Sequence, residues 1–123
     1  MGDRGNIVID YNDGNEIYFY SHWTGYDLFE VLQNALSRGR DRWDDKPYLA
    51  RIIFCEMVKE DLHSNTGFGI SPNLCDNEYP LLIVNPSKQT VRMTTGSNTT
   101  PLLEWDFDEF LELENDPRNE DNR

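Results

Sequence analysis

His22 comes directly after the β-forming stretch Glu16–Ser21 and just before a helical pattern, with Trp23 beside it. An imidazole at a strand-to-helix junction can exchange protons near neutral pH, and such a junction exposes side chains that the scaffold holds in place. Asp3, Arg4 and Asn6 form a second polar group at the mouth of the first strand. A guanidinium there could bind a carboxylate or phosphate in bidentate fashion. Arg51 interrupts the apolar stretch Tyr48–Cys55, three residues after Tyr48 and four before Cys55. A partly buried arginine at that position requires a carboxylate, and Asp3, Asp76 or Glu78 could supply it. Asp3, Arg4, Asn6, His22, Trp23, Arg51 and Asp76 therefore make one candidate ligand-binding or catalytic pocket. The plainer alternative has His22 bonded to a backbone carbonyl, Trp23 plugging the core edge, and Arg51 tying helix to sheet.

Other chemistry is poorly served. Asp76-Asn77-Glu78 with Asp3 offers oxygens to a hard cation, but no EF-hand spacing is present. Cys55, Cys75, His22 and His63 include no pair at zinc-ligand spacing. Thr66-Gly67-Phe68-Gly69 has Gly-x-Gly without a third glycine or a following helix, so it is no dinucleotide fingerprint. No P-loop, Gly-x-Ser-x-Gly or His-Glu-x-x-His motif occurs. The expectation is no metal, no cofactor and no assigned catalytic residue.

The elements that would carry these groups follow from periodicity. Ile7, Ile9 and Tyr11 alternate with Val8 and Asp10, Asp13-Gly14 is a turn signal, and Glu16–Ser21 resumes as a strand, giving a hairpin over the first 21 residues. Thr24 precedes Asp27 by three and begins a helix with Leu28, Val31, Leu32, Ala35 and Leu36 on one face, ending at Gly39. Asp44 or Asp45 caps a second helix with Pro47 in its first turn and an apolar stripe of Tyr48, Leu49, Ile52, Ile53 and Met57. Phe68–Ser71 reads as a strand and Pro72–Glu78 as a loop. Tyr79–Val84 is almost continuously apolar, as a central strand covered on both faces would be. A turn at Asn85–Lys88 leads into another strand, Thr90–Met93, and Thr94–Thr100 is flexible by composition. Asp106 caps a last helix with Glu109 three residues on, and Phe107, Phe110 and Leu111 face inward. The order β-β-α-α-β-β-β-α predicts an α+β fold: one mostly antiparallel sheet of about five strands with helices on one face. Residues 1–114 make one domain, and 115–123 a disordered acidic tail.

Charge limits the partners. The 123 residues carry 11 Lys and Arg against 23 Asp and Glu, a net charge of −12. The stretch Glu104–Arg123 concentrates the acid, with only Arg118 and Arg123 opposing it. Such a surface repels nucleic-acid phosphates and anionic lipid, so neither direct nucleic-acid binding nor membrane binding is expected. Arg38, Arg40 and Arg42 are a small basic cluster that Asp41, Asp44 and Asp45 are expected to neutralise. With no secretory signal pattern, two free thiols and a cytoplasmic setting are expected.

Several strings occur together: Met1-Gly2-Asp3-Arg4 with Asn6, Tyr20-Ser21-His22-Trp23, Tyr48–Ile53, Thr66–Ser71 and Asp76–Pro80. With these the chain resembles an uncharacterised family of small bacterial and phage proteins, whose signatures are Gly-Asp-Arg-x-Asn near the N-terminus and Tyr-x-His-Trp. The resemblance spans most of residues 1–113. It implies a shared fold and no particular activity.

Two functions are in play. One is a non-catalytic acidic interaction protein, akin in logic to phage inhibitors that occupy a basic or nucleic-acid-binding groove on a protein partner. Glu104, Asp106, Asp108, Glu109, Glu112 and Glu114 would then stand in for phosphates. The other is a small-ligand binder or enzyme using the polar pocket around Arg4, His22 and Arg51.

Overall fold

The computed structural model describes residues 2–94 and 101–120. The expected hairpin is formed by β1 (Gly5–Asp10) and β2 (Glu16–Ser21), with Ile7 opposite Phe19 and Ile9 opposite Ile17. Its turn places Asn12 and Gly14 at positive φ, a conformation that asparagine and glycine adopt at least cost. A 3₁₀ turn, Gly25–Asp27, leads into α1 (Leu28–Arg38), so the regular helix begins later than Thr24. Thr24 makes no side-chain cap; its hydroxyl bonds Ser21 instead. Asp45 caps α2 (Lys46–Val58) by accepting from the Tyr48 amide. Leu49, Ile53 and Met57 of its predicted stripe are buried, whereas Tyr48 is 50 % exposed and lies under the Arg42 guanidinium.

The later strands are β3 (Phe68–Ser71), β4 (Leu82–Asn85), β5 (Thr90–Thr94) and β6 (Pro101–Asp106). The capping box Asp106/Glu109 opens α3 (Phe107–Glu112), and a single turn, α4 (Pro117–Glu120), follows.

All six strands form one sheet in the order β3-β2-β1-β4-β5-β6. The α+β class and the mostly antiparallel pairing agree with expectation. Two details differ. The sheet is mixed, because β1 and β4 run parallel, and among the described residues it has six strands rather than about five, the additional one being β6. β6 runs straight into a helix cap, and Pro101-Leu102-Leu103-Glu104-Trp105-Asp106 does not alternate apolar and polar as a half-buried strand would; its pairing with β5 supplies what its sequence lacks.

β4 lies inside the sheet, between β1 and β5. Leu82 and Val84 join Ile7, Ile9, Val91 and Met93 under the helices, in one core with Leu32, Leu49, Phe107 and Phe110. Ile83 points to the opposite face, where it packs with Val8 and Leu81 beneath Tyr18 and Leu74. This two-sided burial explains the unbroken apolar run. Thr94 is buried at the end of β5 and bonds Leu81, which corrects its assignment to a flexible stretch; residues 95–100 lie outside the described residues. The tail expectation also needs correction up to Arg118. That side chain is 1 % exposed and packs back on the domain, while 121–123 lie outside the described residues.

Candidate functional site

The polar group foreseen at the mouth of β1 assembles, with neighbours the sequence reading did not assign to it. Residues Asp3 and Arg4 are clamped between two loops. The Asp3 amide donates to the His22 carbonyl at 2.7 Å, and the Gly25 amide donates to the Asp3 carbonyl at 2.7 Å. Glycine is required at position 25 because an added Cβ would lie 2.7 Å from the Asp3 carbonyl oxygen. On the other side, Arg4 and Glu78 exchange bonds. The Arg4 amide donates to Glu78 Oε1 at 2.7 Å, and the Glu78 amide donates to the Arg4 carbonyl at 2.8 Å. The Arg4 guanidinium reaches Glu78 at 3.5 Å and Asp76 at 3.7 Å. The bond from the Arg4 amide, with the guanidinium beside it, holds the Glu78 carboxyl below its ordinary range, and Glu78 in turn raises the arginine.

Asn6 is 2 % exposed and donates through Nδ2 to the Asp76 carbonyl at 2.7 Å and to Asn77 Oδ1 at 3.2 Å. The Asp3 carboxylate accepts from the Tyr79 hydroxyl and the Tyr26 amide. Burial, then the bond to Asp3, pushes the Tyr79 phenol up to about 12. His22 Nδ1 meets the Tyr20 hydroxyl at 2.7 Å. Burial raises the Tyr20 phenol, so it stays protonated at neutral pH. Which of the two donates follows the imidazole tautomer.

The structure therefore brings Asp3, Arg4, Asn6, His22 and Asp76 to one end of the sheet. Arg51 is not among them. It is exposed on α2 and makes no ion pair among the described residues; Arg4 holds the carboxylates that Arg51 was expected to hold. The helical phase explains this: α2 buries Ala50 and Ile53, leaving Arg51 on the same outward side as Tyr48. Trp23 borders the group but does not plug the core; it is 48 % exposed, with its ring edge-on to His22 at 5.6 Å. Many polar atoms of this corner are occupied by one another, while Arg4 Nε and Asn6 Oδ1 are buried without a hydrogen-bond partner. It reads as a clasp joining the N-terminal segment, the β2–α1 junction and the loop before β4.

The second candidate, the acidic stretch, is exposed throughout: Glu104, Asp106, Asp108, Glu109, Glu112 and Glu114 all face solvent. Three of these carboxylates have local roles. Asp106 and Glu109 accept from each other's backbone amide in the capping box, and Asp108 pairs with Arg40 at 3.0 Å. Glu104, Glu112 and Glu114 carry no ion pair among the described residues. The small basic cluster is neutralised from unexpected directions. Arg38 pairs with Glu56 at 2.9 Å and Arg40 with Asp108, rather than with Asp41, Asp44 and Asp45.

A third feature was not legible in the sequence. A cleft of about 460 Å³ opens between α1, the end of α2 and the start of β3. Trp23, Val31, Met57 and Phe68 give it apolar walls, and Asp27, Glu30, Glu60 and Asp61 surround them. Asp27 and Glu30 also border a second depression, shared with Glu114 and Asp116. Glu114 and Asn115 in turn border a third, with Leu103, Trp105 and Glu112. The three depressions adjoin at these shared residues and together mark a track from α2 to the β6 edge. Among the described residues, Lys59 is the only lysine or arginine lining it, and its ammonium lies 2.7 Å from the buried Glu56 carboxylate. Cys55 is half-buried, Cys75 is exposed, and both are free thiols. No helix among the described residues is long and apolar enough to cross a membrane. No protein family, curated protein or solved structure matches the chain.

Proposed function

We propose that the protein is an acidic interaction module that takes a basic segment of a protein partner along this track. One observation carries the reading: carboxylates distant in sequence, Asp27 and Glu30 on one side and Glu112 and Glu114 on the other, border adjoining depressions, and Lys59, the one lysine among the described residues that line them, is already paired. A net charge of −12 adds long-range attraction for a basic surface. Partners whose own groove takes a polyanion fall in the same class, the carboxylates then standing in for phosphates. The rival reading, catalysis or small-ligand binding at the Asp3–His22 corner, is less well supported. That corner is largely internally bonded, and Arg51 lies outside it.

The test uses a fluorescein-labelled peptide of Gly-Arg repeats. Changing Glu104, Glu112 and Glu114 together to glutamine preserves shape and removes three exposed charges. Each exposed pair contributes modestly, so affinity should fall by a few-fold to roughly a hundredfold. Raised salt should reproduce the loss in the unaltered protein. Binding indifferent both to salt and to the three amides would refute the reading.

A further inference from the structure

The cleft at the head of the track has a half-exposed indole in its wall, whereas Trp105 in the third depression is partly buried against the core. The Trp23 indole is held in place: a Cβ on Gly67 would lie 2.6 Å from its Cζ3, and the His22 ring stands edge-on to it. The ring is nevertheless 48 % exposed and borders the cleft. A half-exposed indole packed between Gly67 and the His22 ring offers a surface for a flat cation. Asp27, Glu30, Glu60 and Asp61 are all exposed around it and carry no ion pair among the described residues. The Lys59 ammonium that also lines the cleft is taken by Glu56, so an anion would meet four exposed carboxylates, and a neutral apolar group would strip water from them without repayment in charge.

We propose that this cleft is the anchoring pocket for one arginine side chain of the basic partner segment. Its guanidinium stacks on Trp23, its methylenes cover Val31, Met57 and Phe68, and its N–H groups face the surrounding carboxylates. Arginine fits better than lysine because its planar, weakly hydrated head stacks on an indole and presents several donors to carboxylates at once. The cleft volume of about 460 Å³ lies within the range of pockets that enclose ligands of this size or larger. The inference rests on the proposed function and assigns its specificity to Trp23.

The test compares labelled Gly-Arg and Gly-Lys repeat peptides of equal length and charge. It uses anisotropy for affinity and ¹H–¹⁵N spectra for the indole N–H signals of Trp23, Trp43 and Trp105. Expected results are a shift of the Trp23 signal on saturation, tighter binding of the Gly-Arg peptide, and a loss of about 2- to 30-fold for Trp23→Ala. The spectral shift needs no variant, so a folding defect in Trp23→Ala leaves the test intact. An unmoved Trp23 signal, or equal affinity for both peptides, overturns the anchor. If the glutamine triple variant still weakens binding in that case, the broader acidic-track reading survives. If the Trp23 signals respond and the triple variant changes nothing, the anchor stands and the broader track fails. No binding of either peptide overturns both.

Discussion

The Arg118 guanidinium donates to the Gly25 carbonyl at 3.0 Å, joining residues 93 positions apart. It also donates to the Tyr26 carbonyl at 3.0 Å, pairs with Asp116 at 2.8 Å and lies over the Tyr79 ring. The contact locks the same 3₁₀ turn that receives the Asp3 carbonyl and carboxylate, so both ends of the chain converge on Gly25–Asp27.

Arg118→Ala should therefore destabilise the domain by about 3 kcal/mol, since it leaves two carbonyls without their donor and the Asp116 carboxylate with only the backbone amide of residue 118. Ending the chain after Asn115 should also lower stability. Urea denaturation measures both. Unchanged midpoints would show that the segment does not dock.

Gly67→Ala should perturb the cleft. Gly67 has φ +100, where a side chain is strained, and its new Cβ would meet the Trp23 ring at 2.6 Å. A cost of about 1–3 kcal/mol is expected, together with a displaced Trp23 indole signal and an unchanged Trp43 signal. A silent substitution would mean that the indole is not held there.

Leu82→Asp should unfold the protein. Leu82 is fully buried in the helix-side core, and an unpaired carboxylate there costs several kcal/mol, of order 3–5. Circular dichroism would report the loss. A cooperative melt close to that of the original chain would contradict the interior placement of β4.

Tyr79 makes the alkaline limb testable. Its phenol is raised from 10.0 to about 12, chiefly by burial and then by the bond to Asp3. Its contribution to stability is therefore complete below pH 10 and is lost as pH rises through about 12. The 295 nm titration, taken as the difference from Tyr79→Phe, should show this late step, and Asp3→Asn should move it to lower pH. A Tyr79 step at 10 would remove the clasp. Glu78 acts in the opposite direction. Its lowered carboxyl stabilises above the ordinary glutamate range, and that contribution disappears as pH falls through its depressed value.

The sequence alone determined the elements whose signals are local. The β1–β2 hairpin, the Asp45 and Asp106 caps and the apolar β4 run rest on period, turn chemistry and capping, which act over a few residues. It also carried the polar corner in part, because Asp3, Arg4, Asn6, His22 and Asp76 flank strands that pair. Tertiary structure alone decided the parallel β1–β4 pairing, the β6 strand and the exclusion of Arg51, which depend on long-range pairing and helical phase. It decided the docking of Arg118 against a compositional argument for disorder, because two carbonyls and Asp116 satisfy a buried cation that no nearby sequence pattern announces. The acidic track belongs to the same class. Charge in the sequence said that a basic partner would be attracted, but only folding set Asp27 and Glu30 alongside Glu114 and placed a half-exposed Trp23 at the end of that surface.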